Sequence, residues 1–275
     1  MLLYRLIQQK PNLTSDNDIT LEDVYEDIKS WSDKSEKSNI KKEELHKYRK
    51  EFLGNVSHEL RTPLFVIQGY IDILINGGLK DPKININYLH KCMNAVERMT
   101  GLVEDLEGIS SLETGDLKLS FETFDLKEEI RSSFESLEIK AAAKDIKIHF
   151  SKNTPTKALV SADKNRIRQV LDNIILNSIK YGKEDGRIDI DISLLNNQWI
   201  IEVSDNGIGI KKEDLPRVFE RFYRTEKSRS RNDGGAGLGL SISKHIIEAH
   251  NQTINISSKD GKGTKVSFGL NKASS

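Results

Sequence analysis

The sequence predicts two folded parts in series, a helical hairpin followed by a mixed α/β domain. Two observations carry this. Apolar residues recur every three or four positions along two long stretches parted by Gly77-Gly78, the period of amphipathic helices. After Gly115 the pattern breaks into short alternating segments interleaved with helical ones, as strands and helices of one α/β domain would. The bulk numbers agree: 275 residues, 31% charged and 36% hydrophobic, describe a water-facing chain with length for about two domains.

Before the hairpin, MLLYRLIQQKP reads as either the stub of a membrane helix or a frayed start. Leu21, Val24, Ile28 and Trp31 fall at helical spacing, and a Ser/Lys-rich linker follows. No run reaches the roughly 18 apolar residues of a membrane span. The first long stripe, from Lys41, is Leu45, Tyr48, Phe52, Val56, Leu60, Leu64, Ile67, Ile71 and Leu74. Asp81-Pro82 then resembles an N-cap with proline at the first helical position. The second stripe is Leu89, Cys92, Val96, Met99, Val103, Leu106 and Ile109, ending near Thr114-Gly115. One hairpin has no room to bury both stripes, and two hairpins packed as a four-helix bundle do, so the stripes predict a homodimer. The single cysteine excludes an internal disulfide and a four-ligand zinc site, and Cys92 reads as a buried thiol. Zero net charge gives no pull toward nucleic acid or an anionic membrane.

In the second part LKLSF alternates like a strand, and Asp125 opens a helix to about Ala142 in the manner of a capping box. Further strands are expected at Ile146–Phe150, Ala158–Ser161, Arg187–Leu194, Trp199–Ser204, Ile254–Ser258 and Thr264–Leu270. Asn196-Asn197 is the expected hairpin turn, and helices are expected at Lys164–Tyr181 and Leu240–His250.

Four segments of this domain carry chemistry, each with a plainer alternative. Asp205-Asn206-Gly207-Ile208-Gly209 ends a strand, and a carboxylate beside two glycines lets a flat ligand with an amino group come close; it could equally be an ordinary turn. The glycines from Gly234 to Gly239 precede a helix and suit phosphate, or form a simple loop. Asn173 and Asn177 share a helix face, with Lys180 and Tyr181 a turn further on. Amide oxygens are hard ligands fit for magnesium, though surface asparagines are commoner. FERFYR, residues 219–224, is aromatic and basic, and Arg224 could reach a phosphate from the root of the polar stretch that follows, unless the aromatics are core and the arginines solvated.

In the hairpin, NVSHELRTP places His58 and Glu59 ahead of Pro63 inside a helical pattern. Imidazole titrates near 6.5, so it is an unprotonated nucleophile at neutral pH. His58 falls between Val56 and Leu60, off the apolar stripe. Glu59 could orient the ring or take its proton, although adjacent helix residues do not face each other squarely. Thr62 lies one turn on. Pro63 would leave the Glu59 carbonyl unpaired and the helix bendable, either as a hinge or as a tolerated kink. His46, His90, His149, His245 and His250 have no such context.

In order, HELRTP, NxxxNxxKY, DNGIGI, FxRFYR, GAGLGL and GKGT resemble the sensor histidine kinases of two-component systems, from about Tyr48 to Leu270. The resemblance implies a multidomain α and α+β architecture. A dimeric helical-hairpin four-helix bundle, residues 41–114, would be followed by an ATP-binding α/β sandwich of the Bergerat (GHKL) fold, residues 115–275. Residues 1–40 would be a linker or membrane-proximal segment, the parent protein membrane-anchored and this part cytoplasmic. It implies ATP and Mg²⁺, with His58 as phosphate acceptor and Thr62 positioning a water for phosphatase action; Glu59 is the third candidate catalytic residue, as orienting group or as base. Asn173 would hold Mg²⁺, with Asn177, Lys180 and Tyr181 on the nucleotide. Asp205 would bind adenine beside Gly207 and Gly209. Arg224 and the backbone of Gly235, Gly237, Leu238 and Gly239 would meet phosphates. The implied partner is a response-regulator receiver domain. Asn251-Gln252 departs from the usual two glycines after His250, and asparagine tolerates the left-handed conformation needed there. The rival readings are another GHKL ATPase and a nucleotide-binding dimeric scaffold without kinase activity.

Overall fold

The computed structural model describes residues 50–113, 118–225 and 236–273. The expected helix around Leu21–Trp31, the linker after it and Gly235 lie outside the described residues.

The first helix, α1, covers residues 50–75 and runs through Pro63 without a break, burying the proline ring. Gly77, at φ 116°, turns the chain into a short 3₁₀ turn, Gly78–Lys80. The second helix, α2, is Asn85–Glu113. It begins later than the Asp81-Pro82 pattern predicts. The Asp81 carboxylate accepts the Lys83 N–H at 2.9 Å, and its carbonyl accepts from Ile84 and Asn85, so Asp81 organises a turn that precedes the helix. The two helices run antiparallel: Cys92 Sγ lies 3.8 Å from the Ile67 carbonyl, and the Tyr70 and Tyr88 rings are 4.8 Å apart. The Lys91 ammonium lies over both rings at 5.0 and 5.4 Å. Cys92 is half-buried rather than buried.

Leu74, Ala95 and Leu102 are buried. Leu64, Ile71, Leu89, Val96 and Val103, all members of the predicted stripes, remain 44 to 51% exposed. One hairpin therefore covers only part of its apolar surface.

The α/β part has a five-stranded sheet in the order β2-β4-β5-β7-β6 and a separate antiparallel pair, β1 with β3. β2 (Lys147–Phe150) is parallel to β4 (Arg187–Leu195); β5 (Gln198–Asp205), β7 (Gly263–Asn271) and β6 (Ile254–Lys259) follow in antiparallel array. Asn196 and Asn197, at φ 46° and 66°, form the expected two-residue turn between β4 and β5, with both residues left-handed. β1 is Phe121–Asp125, not LKLSF. Its pairing with β3 (Leu159–Asp163) begins at Phe121↔Asp163, and residues 118–120 precede the ladder. Asp125 caps α3 (Leu126–Ala142) as expected, its side chain accepting the Lys127 N–H, while Glu128 pairs with Arg131.

Strands β4, β5 and β7 bury alternate residues: Ile188, Ile190 and Ile192; Trp199, Ile201 and Val203; Val266, Phe268 and Leu270. Helix α4 (Lys164–Tyr181) covers them and packs against α3 and α5 (Gly239–Ala249). Its Ile167, Val170, Leu171, Ile174, Ile175 and Ile179 are at most 3% exposed. Each such side chain contributes about 1.5–3 kcal/mol on burial, which fixes the rotation of α4 and hence the direction of its opposite face.

Candidate active site

Asp163 starts α4, accepting the Arg166 N–H at 3.1 Å. At the other end the Lys144 ammonium donates to the carbonyls of Ile179, at 3.1 Å, and Lys180, at 2.7 Å, which satisfies part of the last turn. Between these ends Asn173, Asn177, Lys180 and Tyr181 line one cavity. Asn173 Nδ2 donates to the Gly239 carbonyl at 3.3 Å, tying α4 to the first turn of α5 and leaving Oδ1 as an acceptor.

Asp205, the last residue of β5, lines the same cavity. Its Oδ1 accepts the N–H of Gly207 at 2.8 Å and of Thr264 at 3.2 Å, and the carboxylate also accepts from the Ser178 side chain. Burial pushes its carboxyl above the ordinary 3.8, against the pull of these three hydrogen bonds. Gly209, at φ 67°, has no room for a side chain: a Cβ would stand 2.1 Å from the Lys259 carbonyl oxygen. A flat ligand can thus come against bare backbone there.

Gly237, Leu238, Gly239 and Arg224 complete the lining. Leu238 is fully buried and is the N-cap of α5, so it anchors the glycine segment. Phe222, at φ 61°, donates its N–H to the Gly237 carbonyl at 3.0 Å, locking the aromatic segment to the glycines. The Tyr223 hydroxyl donates to Asp214 at 2.5 Å, which raises its pKa, and the Arg217 guanidinium sits 4.2 Å from the Tyr223 ring centre.

The cavity thus gathers Asn173, Asn177, Lys180, Tyr181, Asp205, Gly209, Arg224, Gly237, Leu238 and Gly239, with Gly207 bonded to the Asp205 carboxylate. The remaining candidates stand on α1. His58 and Thr62 are exposed, and Glu59 is half-buried with its carboxylate 3.6 Å from the Arg98 guanidinium of α2.

Sequence reasoning missed Ser178 and Thr264, which act on Asp205; the GKGT motif was the only signal for Thr264. It also missed Asp105 of α2, which lines the cavity and whose carboxyl is raised to about 6 by burial and by Glu104. His250 is a further omission. Its Nδ1 donates to the Ile246 carbonyl at 2.7 Å, and its Nε2 accepts the Asp163 N–H at 3.0 Å. Among the described residues no cluster of His, Cys, Asp or Glu could hold a metal ion.

Two family models match the two parts. One, described as His Kinase A (phospho-acceptor) domain, matches residues 48–115. The other, described as Histidine kinase-, DNA gyrase B-, and HSP90-like ATPase, matches residues 162–274. The chain belongs to the sensor histidine kinase family. It is similar to the sensor histidine kinase WalK of Bacillus subtilis, 38% identical over 231 residues, which is 83% of this chain and 37% of that protein. This sensor kinase chain therefore spans well under half the length of that curated relative. The solved Acinetobacter baumannii histidine kinase AdeS superposes with a TM-score of 0.64 at 29% identity, covering 79% of this chain and 98% of that one. Full-length ShkA, solved in complex with AMPPNP, gives 0.61 at 26% identity over 82% of this chain and 47% of that one. Among the described residues no helix is long and apolar enough to cross a membrane.

Proposed function

We propose that this chain is the catalytic core of a sensor histidine kinase, in which MgATP bound in the α4–Asp205 cavity phosphorylates His58. The observation that carries the reading is the convergence of Asn173, Asn177, Lys180, Tyr181, Asp205 and Gly209 on one cavity of a chain that also presents an exposed histidine on a helix. Residues 41–114 act as the dimerisation and phosphotransfer hairpin, residues 115–275 as the ATP-binding domain, and residues 1–40 as the segment that joins them to a membrane-anchored parent.

Asp205 accepts the exocyclic amino group of adenine, whose ring lies along Gly207 and Gly209. Lys180, Arg224 and the N–H groups of the glycine segment from Gly235 through Leu238 to Gly239 hold the phosphates. The residues present fit a magnesium ion: Asn173 Oδ1 is a hard oxygen donor, and Mg²⁺ asks for one or two protein oxygens beside phosphates and water. Bound there, the ion neutralises phosphate charge. His58 attacks the γ-phosphorus with one ring nitrogen, the bond to the bridging oxygen breaks, and that oxygen leaves on ADP. The proton on the other ring nitrogen passes to Glu59. Catalysis rests on in-line positioning and charge neutralisation. The phosphoryl group then passes to an aspartate of a response-regulator receiver docked on the bundle. Thr62, one turn from His58, positions the water that hydrolyses the receiver's phosphoaspartate in a phosphatase reaction, releasing inorganic phosphate and the free carboxylate. The exposed Leu64, Ile71, Leu89, Val96 and Val103 are the surface a second copy covers in a homodimer.

Incubation with γ-labelled ATP tests the reading. It predicts acid-labile, base-stable label at His58 and none in His58→Gln. Nucleotide binding without such label in the wild-type chain favours the scaffold reading instead.

A further inference from the structure

Arg98 stands on the packed side of α2. Its neighbours one turn either way, Ala95 and Leu102, are 7 and 6% exposed. Arg98 itself is exposed at the edge of that seam, where its guanidinium can meet an opposite charge. Here that charge is Glu59, 3.6 Å away across the hairpin, with the two side chains 39 and 23% exposed. This separation exceeds a tight charge-assisted hydrogen bond of about 2.7–2.9 Å, so Arg98 holds the carboxylate by charge and leaves its lone pairs open to another donor. A half-exposed pair of this kind adds little to stability, about 0–1 kcal/mol, which directs attention to what else it does.

Glu59 follows His58 directly, and neighbouring helix residues point about 100° apart. Left alone, a glutamate has several rotamers directed away from the preceding side chain. We propose that Arg98 is a positioning residue for phosphotransfer: it pins the Glu59 carboxylate at the α1–α2 seam, so that the base starts from one position instead of several rotamers. The proposal rests on the reading of His58 as phosphate acceptor and Glu59 as proton acceptor. The step itself is unchanged: the P–N bond forms, the bond to the bridging oxygen breaks, and the imidazole proton moves to the carboxylate that Arg98 holds.

The test is single-turnover autophosphorylation of the full chain in a double-mutant cycle. Arg98→Ala should lower the rate constant at saturating ATP by about tenfold, while KM for ATP stays within about twofold, because no ATP contact is lost. Arg98→Lys, which keeps the charge, should retain at least about half of the wild-type rate. In a Glu59→Gln background Arg98→Ala should change the rate by less than about twofold, since the two residues act as one unit. A loss that persists undiminished in that background, or one that appears as a raised KM, overturns the proposal. Should Arg98→Ala fail to fold, Arg98→Gln serves in its place in both backgrounds. A wild-type chain that never labels His58 sinks the underlying reading. A labelled wild type with no Arg98–Glu59 coupling sinks the positioning role alone.

Discussion

Replacing Gly263 by alanine isolates what holds the Asp205 corner together. Gly263 opens β7 at φ 108°, and a Cβ there would stand 1.9 Å from the Asp205 carbonyl oxygen and 2.8 Å from the Asn206 Cα. Both obstacles are backbone, so no rotamer relieves them, and the strand ends must part by about 1 Å. Holding an alanine in that conformation costs about 1–3 kcal/mol. Parting the strands also strains two hydrogen bonds, Thr264 N–H to Asp205 Oδ1 at 3.2 Å and Ser258 Oγ to the Gly263 carbonyl at 2.7 Å. Each is worth about 0.5–1.5 kcal/mol. The expected destabilisation is about 2–6 kcal/mol, with loss of adenine-nucleotide binding. Gly261 supplies the control. Its φ is 75°, but nothing lies within 4 Å of its Cβ position, so Gly261→Ala should cost only about 1–2 kcal/mol and leave binding intact. Urea denaturation of both variants, with calorimetric titration of an ATP analogue, measures the difference. Equal stability of the two variants, or unimpaired nucleotide binding in Gly263→Ala, would refute the close-approach argument.

Three further predictions concern Asp205 and His250. The Asp205 carboxyl lies above its ordinary 3.8 because it is buried, so between 3.8 and its raised value the native state keeps a proton that the unfolded chain releases. Its contribution to stability therefore falls as pH rises through that window, and Asp205→Asn should flatten that part of the pH–stability curve. Nucleotide affinity should run the other way, weakening on acidification from a pH above the usual aspartate range, as titrations at successive pH values would report. His250→Ala removes the acceptor for the Asp163 N–H and the donor to the Ile246 carbonyl. It should destabilise the domain by about 2–4 kcal/mol in urea denaturation, whereas a change below about 0.5 kcal/mol would show that these groups find other partners.

The sequence was most informative where local chemistry and burial agree. α4 falls on the predicted Lys164–Tyr181 because Asp163 caps it and its apolar residues keep a helical period into the core. The Asn196-Asn197 turn was readable because both residues accept a left-handed backbone. β1 was misplaced because alternation gives a strand's phase but not its partner; LKLSF alternates, yet the ladder with β3 starts at Phe121. Asp81-Pro82 carries the residues of a helix start, but the helix begins only at Asn85. In the site, side chains with distinctive chemistry were legible, such as Asp205 and the α4 asparagines. Thr264 acts through a backbone N–H on a carboxylate 59 residues away, and any residue but proline has that group. Arg98 and His250 likewise matter through partners that only the tertiary structure supplies.

Helix α4 gives one face to the hydrophobic core and the other to the cavity, with both ends fastened. Ligand affinity and folding are thereby welded along a single rod. A variant that loosens Ile174 surrenders ligand and stability together, whereas one at Asn177 surrenders ligand alone. Selection for weaker nucleotide affinity has an inexpensive route only through the cavity face.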